Sequence, residues 1–283
     1  MRAAFDAARA ELRADVGRGA GGRSSLERYA DRVDALLRQL YLDAQPPAAP
    51  VAILALGGYG RRHLCLHSDI DLLILFGDTI GPDEERFLRS LLHPLWDLGV
   101  VVGHQVRELS DFETLEVDNP EFLLALVDAR PVAGKRDLFD RFTTVFHSAE
   151  THSFILKSLL ELIDQRHAAF NGTLYQLEPD VKDSPGALRD LFATRTIALL
   201  TDPLLLRRGP ADPARFDDAE DFLLRVARRS AHLANPEAGD FERFEGLAVL
   251  LQLNPVPGDG AIAVSDHGAA TLKIRALKIG RHG

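Results

Sequence analysis

Apolar side chains recur at helical spacing near the start of the chain. Over residues 26–40 they stand three or four positions apart, the period of one face of an α-helix. The glycine- and serine-rich stretch 17–25 separates this pattern from an earlier one. The Pro/Ala stretch 45–50 ends it, because proline lacks a backbone N–H and restricts the preceding residue. Residues 1–45 are therefore predicted to form two helices.

Short continuous apolar runs replace the helical period in the next part of the chain. Such runs are typical of buried strands, and the three predicted strands are 51–56, 69–76 and 98–108. The predicted helices are 82–98, 120–129 and one from a turn around Gly134 to about His147. Residues 46–148 are thus predicted to form an α/β domain with a short mixed sheet.

The helical period returns after residue 150. The predicted helices are 151–170, 186–206, 214–234 and 238–252, whereas the last thirty residues are weakly patterned. The predicted fold class is α/β + α, with an all-helical domain at 149–283 after the N-terminal helices and the α/β domain.

Composition narrows the possible partners and compartment. The 283 residues are 46% hydrophobic and 27% charged, a globular balance, and 33 Lys+Arg against 42 Asp+Glu give a net charge of −9 that disfavours nucleic acid. A single cysteine excludes a disulfide framework and fits a reducing compartment. No apolar run approaches the length of about 18 residues that a membrane span needs. We expect a cytoplasmic protein with no membrane contact.

Two glycines lie directly after the first predicted strand. In ALGGYGRRHLCLHSDIDLLILF (55–76), Gly57 and Gly58 would let backbone N–H groups approach a ligand closely. A helical turn beginning near Tyr59 would add its positive end, which favours phosphate. No third glycine of a dinucleotide fingerprint and no G-K-[ST] follow, so other nucleotide-binding signatures are absent.

Two aspartates open the second predicted strand. The period of two puts Asp69 and Asp71 on one face, with carboxylates about 6–7 Å apart. Acids beside a buried strand are costly unless they are paired or bind a metal. Mg²⁺ takes one or two protein carboxylates together with substrate phosphates. The sequence therefore predicts a magnesium-dependent site for nucleotidyl or phosphoryl transfer.

The segment with the glycines and aspartates resembles a known family motif. GGYGRRHLCLHSDIDLL (57–73) resembles the motif of polymerase-β-type nucleotidyltransferases, and in particular the N-terminal nucleotidyltransferase region of bacterial [protein-PII] uridylyltransferases. Three further stretches are similar to later parts of that family: VVGHQVRELSDF (101–112), FLLALVDARPVAG (122–134) and YQLEPDVKDSPGALRDL (175–191). In the last, Ser184 and Ala187 replace glycines that are usual in the family.

The resemblance implies a polymerase-β-like domain that transfers UMP from UTP to a tyrosine of a PII-type signalling protein, with Mg²⁺ as cofactor, pyrophosphate as product and a role in nitrogen regulation. By position, it makes Asp69 and Asp71 the catalytic metal ligands. It assigns the triphosphate to Gly57, Gly58 and Ser68. Arg61 becomes a partner for phosphate or for an acid.

The stretch 175–191 also has a local interpretation. Ser184 is a good N-cap and Pro185 suits the first helical position, so a helix is predicted to start there. Lys182 precedes it and Arg189 lies on its second turn, a basic pair suited to nucleotide phosphate or to an acidic partner surface. A capped surface helix with ordinary charge pairs fits equally well.

The sequence does not identify a single general base. Polymerase-β-type sites usually have a third carboxylate, and the candidates are Glu108, Asp111 and Asp97, with His104 as a substitute. None has the expected mid-strand position, so a site without a protein base is an equal alternative.

Three functional hypotheses remain. The first is protein uridylylation, and the second is nucleotidyl transfer, for example of AMP, to another protein or to a small molecule. The third is a catalytically weak regulatory module that binds nucleotide. The chain contains no His-Asp dipeptide, so we expect no uridylyl-removing hydrolase in it, and we expect either an excised fragment or a short relative of the longer enzymes.

Overall fold

The computed structural model describes residues 1–113, 119–171, 180–201 and 213–233, and the backbone of 263–264 and 270–271. The chain divides into two compact units, Met1–Leu159 and Leu160–Gly283. The predicted class is confirmed, since a small mixed sheet with flanking helices is followed by further helices. Within the described ranges, no helix is both long and apolar enough to cross a membrane.

The elements before the unit boundary follow the predicted order with one added strand, Arg130–Gly134. The helices that precede the unit boundary are α1 (Arg2–Gly17), α2 (Gly22–Asp43), α3 (Gly57–Gly60), α4 (Pro82–Asp97), α5 (Pro120–Val127) and α6 (Arg136–Phe146), with a 3-10 turn at Leu109–Phe112. The strands there are β1 (Val51–Ala55), β2 (Ile70–Phe76), β3 (Val102–Glu108) and β4 (Arg130–Gly134). The unit boundary falls within α7 (Ala149–Ala169), which is followed by α8 (Leu188–Thr201), α9 (Pro213–Leu233) and the two-residue strands β5 (Ala263–Val264) and β6 (Ala270–Thr271).

The four-stranded sheet has the order β3-β2-β1-β4. β1 is antiparallel to both β2 and β4, whereas β3 is parallel to β2. All of β1 is buried, and residues 72–76 of β2 are at most 1% exposed, because continuous apolar runs can cover both faces of a central strand. The two central strands therefore form a rigid base for the residues at their ends.

The strand β4 occupies a stretch predicted as a turn. Gly134 indicated that turn, and β4 also contains Pro131; both residue types weaken strands. β4 lies at the sheet edge, where proline is tolerated. Gly134 has φ +95°, and a Cβ there would lie 2.2 Å from the carbonyl oxygen of Val51. The glycine is thus required by a close approach of the two strands.

The helix that was predicted to start at Pro185 begins at Leu188 instead. The Ser184 hydroxyl donates to the carbonyl oxygen of Asp180 and caps no helix. Gly186 has φ +82°, in the left-handed region, so the chain turns before α8 starts. The predicted helix 238–252, the end of the predicted 186–206 helix and residues 175–179 lie outside the described residues.

Candidate active site

Two aspartates stand at the start of β2. Asp69 directly precedes the strand and is exposed, while Asp71 is its second residue and is half-buried. Between and after them, Ile70 and Leu72 are 4% and 1% exposed. The apolar neighbours anchor the strand in the core, and the alternation places Asp71 on the opposite face from Ile70 and Leu72, at the end of the strand where burial is lower.

The glycine turn lies at the same end of the sheet. Because β1 and β2 are antiparallel, the end of β1 meets the beginning of β2, and the Leu56 N–H donates to the carbonyl oxygen of Asp71 at 3.0 Å. Gly57 follows with φ +49° and begins the single turn of α3. A Cβ on Gly58 would meet nothing within 4 Å. The backbone of this turn therefore borders open space next to the aspartates.

A buried polar cluster of Asp34, Tyr59 and Arg130 is hydrogen-bonded to the glycine turn. Tyr59 is 1% exposed, and its hydroxyl donates to Asp34 Oδ1 of α2 at 2.6 Å. Arg130 of β4 donates to both carboxylate oxygens of Asp34, at 2.6 and 3.0 Å, and to the carbonyl oxygen of Gly60 at 3.3 Å. Burial, together with the Asp34 carboxylate, raises the pKa of the Tyr59 hydroxyl well above its usual value. The cluster joins α2, α3 and β4 through one acid.

The sequence prediction missed this cluster, although one signal was present. Asp34 follows Val33 and precedes Leu37 on the apolar stripe of α2, and it is 2% exposed. An acid on a buried helical face needs a cationic partner. The partner, Arg130, comes 96 residues later in the chain, so no local pattern identifies it.

The end of α3 is packed against the end of α5. A Cβ on Gly60 would lie 2.1 Å from the carbonyl oxygen of Asp128. Arg61 forms an ion pair with the Asp128 carboxylate, and the two side chains are 20% and 12% exposed. Of the two partners predicted for Arg61, phosphate and an acid, the structure therefore provides the acid.

Ser68 closes the turn that leads to the aspartates. Its N–H donates to the carbonyl oxygen of Cys65 at 3.2 Å, and its Oγ accepts from the Cys65 N–H at 3.0 Å. Ser68 is exposed, and its hydroxyl hydrogen can still donate to a ligand. The turn fixes the backbone immediately before Asp69.

The acids on and after β3 lie far from Asp71. In the parallel pairing, Asp71 is opposite Gly103 and Phe76 is opposite Glu108, so Glu108 is about 16 Å further along the strand. Its Oε1 accepts from the Ile80 N–H at 2.9 Å, and Asp111 in turn accepts from the Glu108 N–H at 3.0 Å. These two carboxylates therefore accept backbone hydrogen bonds at the C-terminal end of β3.

The other two candidates for a general base are His104 and Asp97. His104 follows Gly103, so it faces the other side of β3, and its ring lies 5.9 Å from that of Trp96. Asp97 is the last residue of α4, where its carbonyl oxygen accepts from Arg2. None of the four candidates lies opposite Asp71 in the sheet register.

Lys182 and Arg189 belong to the second unit. Lys182 is exposed, and the Arg189 N–H donates to its carbonyl oxygen at 3.0 Å. The Arg189 side chain is half-exposed, with Nε 2.8 Å from Asp183 Oδ1. The two basic residues are therefore adjacent on one turn.

A buried acid, Asp190, supports that turn. Asp190 is 6% exposed, and its Oδ2 accepts from the Gly186 N–H at 2.6 Å. Arg166 and His167 of α7 contact the same carboxylate, with His167 Nε2 3.0 Å from each oxygen. The sequence prediction did not single out Asp190 as the centre of this arrangement.

The donor set at the start of β2 fits magnesium. Over the described ranges, no three His, Cys, Asp or Glu side chains are grouped so that they could hold a metal. A fully protein-ligated site is therefore absent from that part of the chain. A pair of carboxylates at the border of open space is suited to Mg²⁺ shared with phosphate oxygens.

Comparison with known proteins finds similarity to uridylyltransferases. The family model for GlnD PII-uridylyltransferase matches residues 155–229. The bifunctional uridylyltransferase/uridylyl-removing enzyme of Burkholderia lata is 36% identical over 198 residues, which cover 70% of this chain and 23% of that protein. The Haemophilus influenzae enzyme of the same name is 34% identical over 220 residues, which cover 74% and 25%. This chain is a nucleotidyltransferase homologue related to the PII uridylyltransferases.

The relationship concerns part of those enzymes only. The homologue spans about a quarter of the length of the curated relatives it matches. One solved structure that matches is a crystal structure of a toxin-antitoxin with AMP-PNP. The alignment covers 50% of this homologue and 98% of the matched chain, with 17% identity and a TM-score of 0.27. That similarity is too low to bear on the fold or the function.

Proposed function

We propose that this chain is a magnesium-dependent nucleotidyltransferase that transfers UMP from UTP to a tyrosine of a PII-type signalling protein. The observation that carries the proposal is the meeting of Asp69 and Asp71 with the glycine turn at one end of the sheet. The relationship to uridylyltransferases supports nucleotidyl transfer as the general chemistry. The choice of UTP and of a PII-type acceptor rests on the names of those relatives.

The substrate-binding roles are assigned to the residues around the turn. Asp69 and Asp71 would hold Mg²⁺, which supplies charge neutralisation for the triphosphate. The backbone N–H groups of Gly57 and Gly58 and the hydroxyl of Ser68 would bind phosphate oxygens. Arg61 would act indirectly, because its ion pair with Asp128 fixes the end of the turn.

The reaction is an in-line displacement at the α-phosphorus. A bond forms between the acceptor oxygen and the α-phosphorus while the tyrosine O–H bond breaks and its proton passes to water. The bond from that phosphorus to the bridging oxygen of the β-phosphate breaks, so that pyrophosphate leaves. Such transfer depends mainly on positioning and on charge stabilisation. The residues of the turn and of β2 provide the positioning.

A phenolic acceptor suits this site. The residue opposite Asp71 is Gly103 and not one of the four candidate bases, Glu108, Asp111, Asp97 and His104. A tyrosine hydroxyl, with a pKa of about 10, loses its proton far more readily than an aliphatic hydroxyl. A site with two carboxylates therefore has less need of a protein base when the acceptor is tyrosine.

Lys182 and Arg189 are proposed to contact either nucleotide phosphate or an acidic surface of the acceptor protein. Lys182 is exposed and Arg189 half-exposed, which leaves both cations accessible. Arg189 would have to exchange Asp183 for the incoming anion.

One observation favours an alternative function. The residue opposite Asp71 on β3 is Gly103, which has no side chain and supplies no third carboxylate to the site. A regulatory module that binds nucleotide with little turnover would tolerate that glycine. Transfer of AMP or another nucleotide to a different acceptor uses the same geometry.

The deciding experiment offers the purified chain a PII-type protein, Mg²⁺ and each of the four ribonucleoside triphosphates, followed by mass spectrometry of the acceptor. We expect a UMP adduct on a tyrosine that disappears with EDTA and in the Asp71→Asn variant. An AMP adduct would indicate the alternative transferase. Nucleotide binding without any adduct would indicate the regulatory module.

A further inference from the structure

The carboxylate of Asp71 leans across the backbone of the neighbouring strand at Gly103. The two residues are partners in the parallel pairing of β2 with β3. A Cβ placed on Gly103 would lie 2.3 Å from Asp71 Oδ1 and 3.5 Å from its Cγ. Real Cβ atoms do not approach other atoms within 3.0 Å, so the space that a side chain would need at residue 103 is taken by the aspartate.

The backbone itself does not require a glycine there. Gly103 is not among the residues with positive φ, in contrast to Gly57 and Gly99. The register continues without interruption from Ile70 opposite Val102 to Phe76 opposite Glu108. What distinguishes residue 103 is therefore its contact with Asp71 and not its conformation.

We propose that Gly103 is a positioning residue, which acts through Asp71 by leaving room for its carboxylate over β3. The inference rests on the proposed function, because it concerns the same metal-binding aspartate. An alanine would force the carboxylate to move by about 1 Å to reach ordinary contact at 3.4 Å, and a shift of that size costs about 10²-fold in rate. The atom that must move is the far end of a side chain on a half-buried residue, and not backbone, so the move costs the fold little.

The same contact explains why residue 103 is not itself a third carboxylate. An acid at residue 103 would occupy the place of the Asp71 carboxylate and would add a like charge beside it. The space beside residue 103 therefore holds the Asp71 carboxylate, and a side chain that acts as a general base would not fit at residue 103.

The test compares Gly103→Ala with Gly17→Ala, a glycine in α1 whose added Cβ would meet nothing within 4 Å. For both variants and the wild-type chain, we would measure the melting temperature, Mn²⁺ binding in the presence of UTP by electron paramagnetic resonance, and turnover as a function of Mg²⁺. We expect Gly103→Ala to keep its melting temperature, to bind Mn²⁺ at least ten-fold more weakly and to lose about 10²-fold in turnover. The Mg²⁺ concentration for half-maximal turnover should rise, and Gly17→Ala should match the wild type in all three.

Two outcomes would overturn the inference. One is a folded Gly103→Ala variant that binds Mn²⁺ as the wild type does, and the other is a loss of binding that follows a lowered melting temperature, which a merely structural glycine would give. A wild-type chain that binds no Mn²⁺ with any nucleotide would refute the proposed function instead. The crystal structure of Gly103→Ala would then test the contact alone, through the displacement of Asp71 Oδ1 or its absence.

Discussion

The backbone N–H of Leu56 donates a hydrogen bond of 3.0 Å to the carbonyl oxygen of Asp71. This bond joins the residue before the glycine turn to the second aspartate, and it uses main-chain atoms only. The bond and the pairing of β1 with β2 do not depend on the aspartate side chains. The aspartate side chains can therefore be substituted without moving the glycine turn.

Replacing either aspartate by asparagine should separate activity from folding. Asp69→Asn and Asp71→Asn keep side-chain shape but remove the charge that a metal needs, so we expect transfer to fall by about 10²–10³-fold or more. Because Asp69 is exposed and Asp71 half-buried, the free energy of unfolding should change by less than about 1 kcal/mol. Transfer assays and urea titrations check this, with the exposed Asp83→Asn of α4 as the matched control. Full turnover in either site variant would remove the basis of the proposed function.

Nucleotide binding should depend on metal and should favour UTP. A ligand at about 100 times its Kd stabilises the folded state by about 2.7 kcal/mol, which a thermal shift assay detects readily. We expect UTP with Mg²⁺ to raise Tm more than ATP with Mg²⁺, and EDTA to abolish the shift. A larger shift with ATP would instead support transfer of AMP.

The sequence was sufficient for the parts of the fold that depend on local pattern. β1 and β2 have continuous apolar runs, and the Gly57-Gly58 pair and the two aspartates flank them in the chain. Antiparallel pairing of consecutive strands then brings these residues to one end of the sheet. The strand β4 was missed because Gly134 indicated a turn. Pro131 in the same stretch is acceptable because β4 lies at the sheet edge.

Features that depend on register or on distant pairing were not predictable. The Asp34–Arg130 pair joins residues 96 positions apart, and no local pattern relates them. Gly103 has no distinguishing sequence context, and its contact with Asp71 exists because β3 pairs in one specific parallel register. In the same register Glu108, a candidate base, pairs with Phe76 at the far end of β2 from Asp71.

Two glycines of the turn should respond differently to alanine. A Cβ on Gly60 would lie 2.1 Å from a backbone oxygen that cannot easily move, so Gly60→Ala should cost at least about 3 kcal/mol of stability. A Cβ on Gly58 would meet nothing within 4 Å, so Gly58→Ala should fold normally. It should nevertheless weaken UTP binding, because the methyl group enters the space proposed for the triphosphate. Calorimetric unfolding and UTP titration separate the two effects, and equal stability losses would contradict the assignment.

The hydroxyl of Tyr59 should contribute to stability through Asp34. It is a buried hydrogen bond of 2.6 Å to a charged acceptor, a class worth about 1.5–3 kcal/mol. Tyr59→Phe should therefore lower the free energy of unfolding by about that amount, as measured by urea titration. Tyr41→Phe serves as the control, since its edge contact with the Phe87 ring at 5.6 Å needs no hydroxyl. Equal effects in the two variants would show that the Asp34 contact adds nothing specific.

Asp190→Asn should destabilise the turn that carries Lys182 and Arg189. The carboxylate is 6% exposed and is shared by Arg166 and the Gly186 N–H. Breaking a buried ion pair by neutralising one partner costs about 3–5 kcal/mol. We expect faster hydrogen exchange at residues 180–190 and a lower melting temperature, whereas the exposed Asp164→Asn of α7 should resemble the wild type. Unchanged exchange in Asp190→Asn would mean that the turn is held by its backbone hydrogen bonds alone.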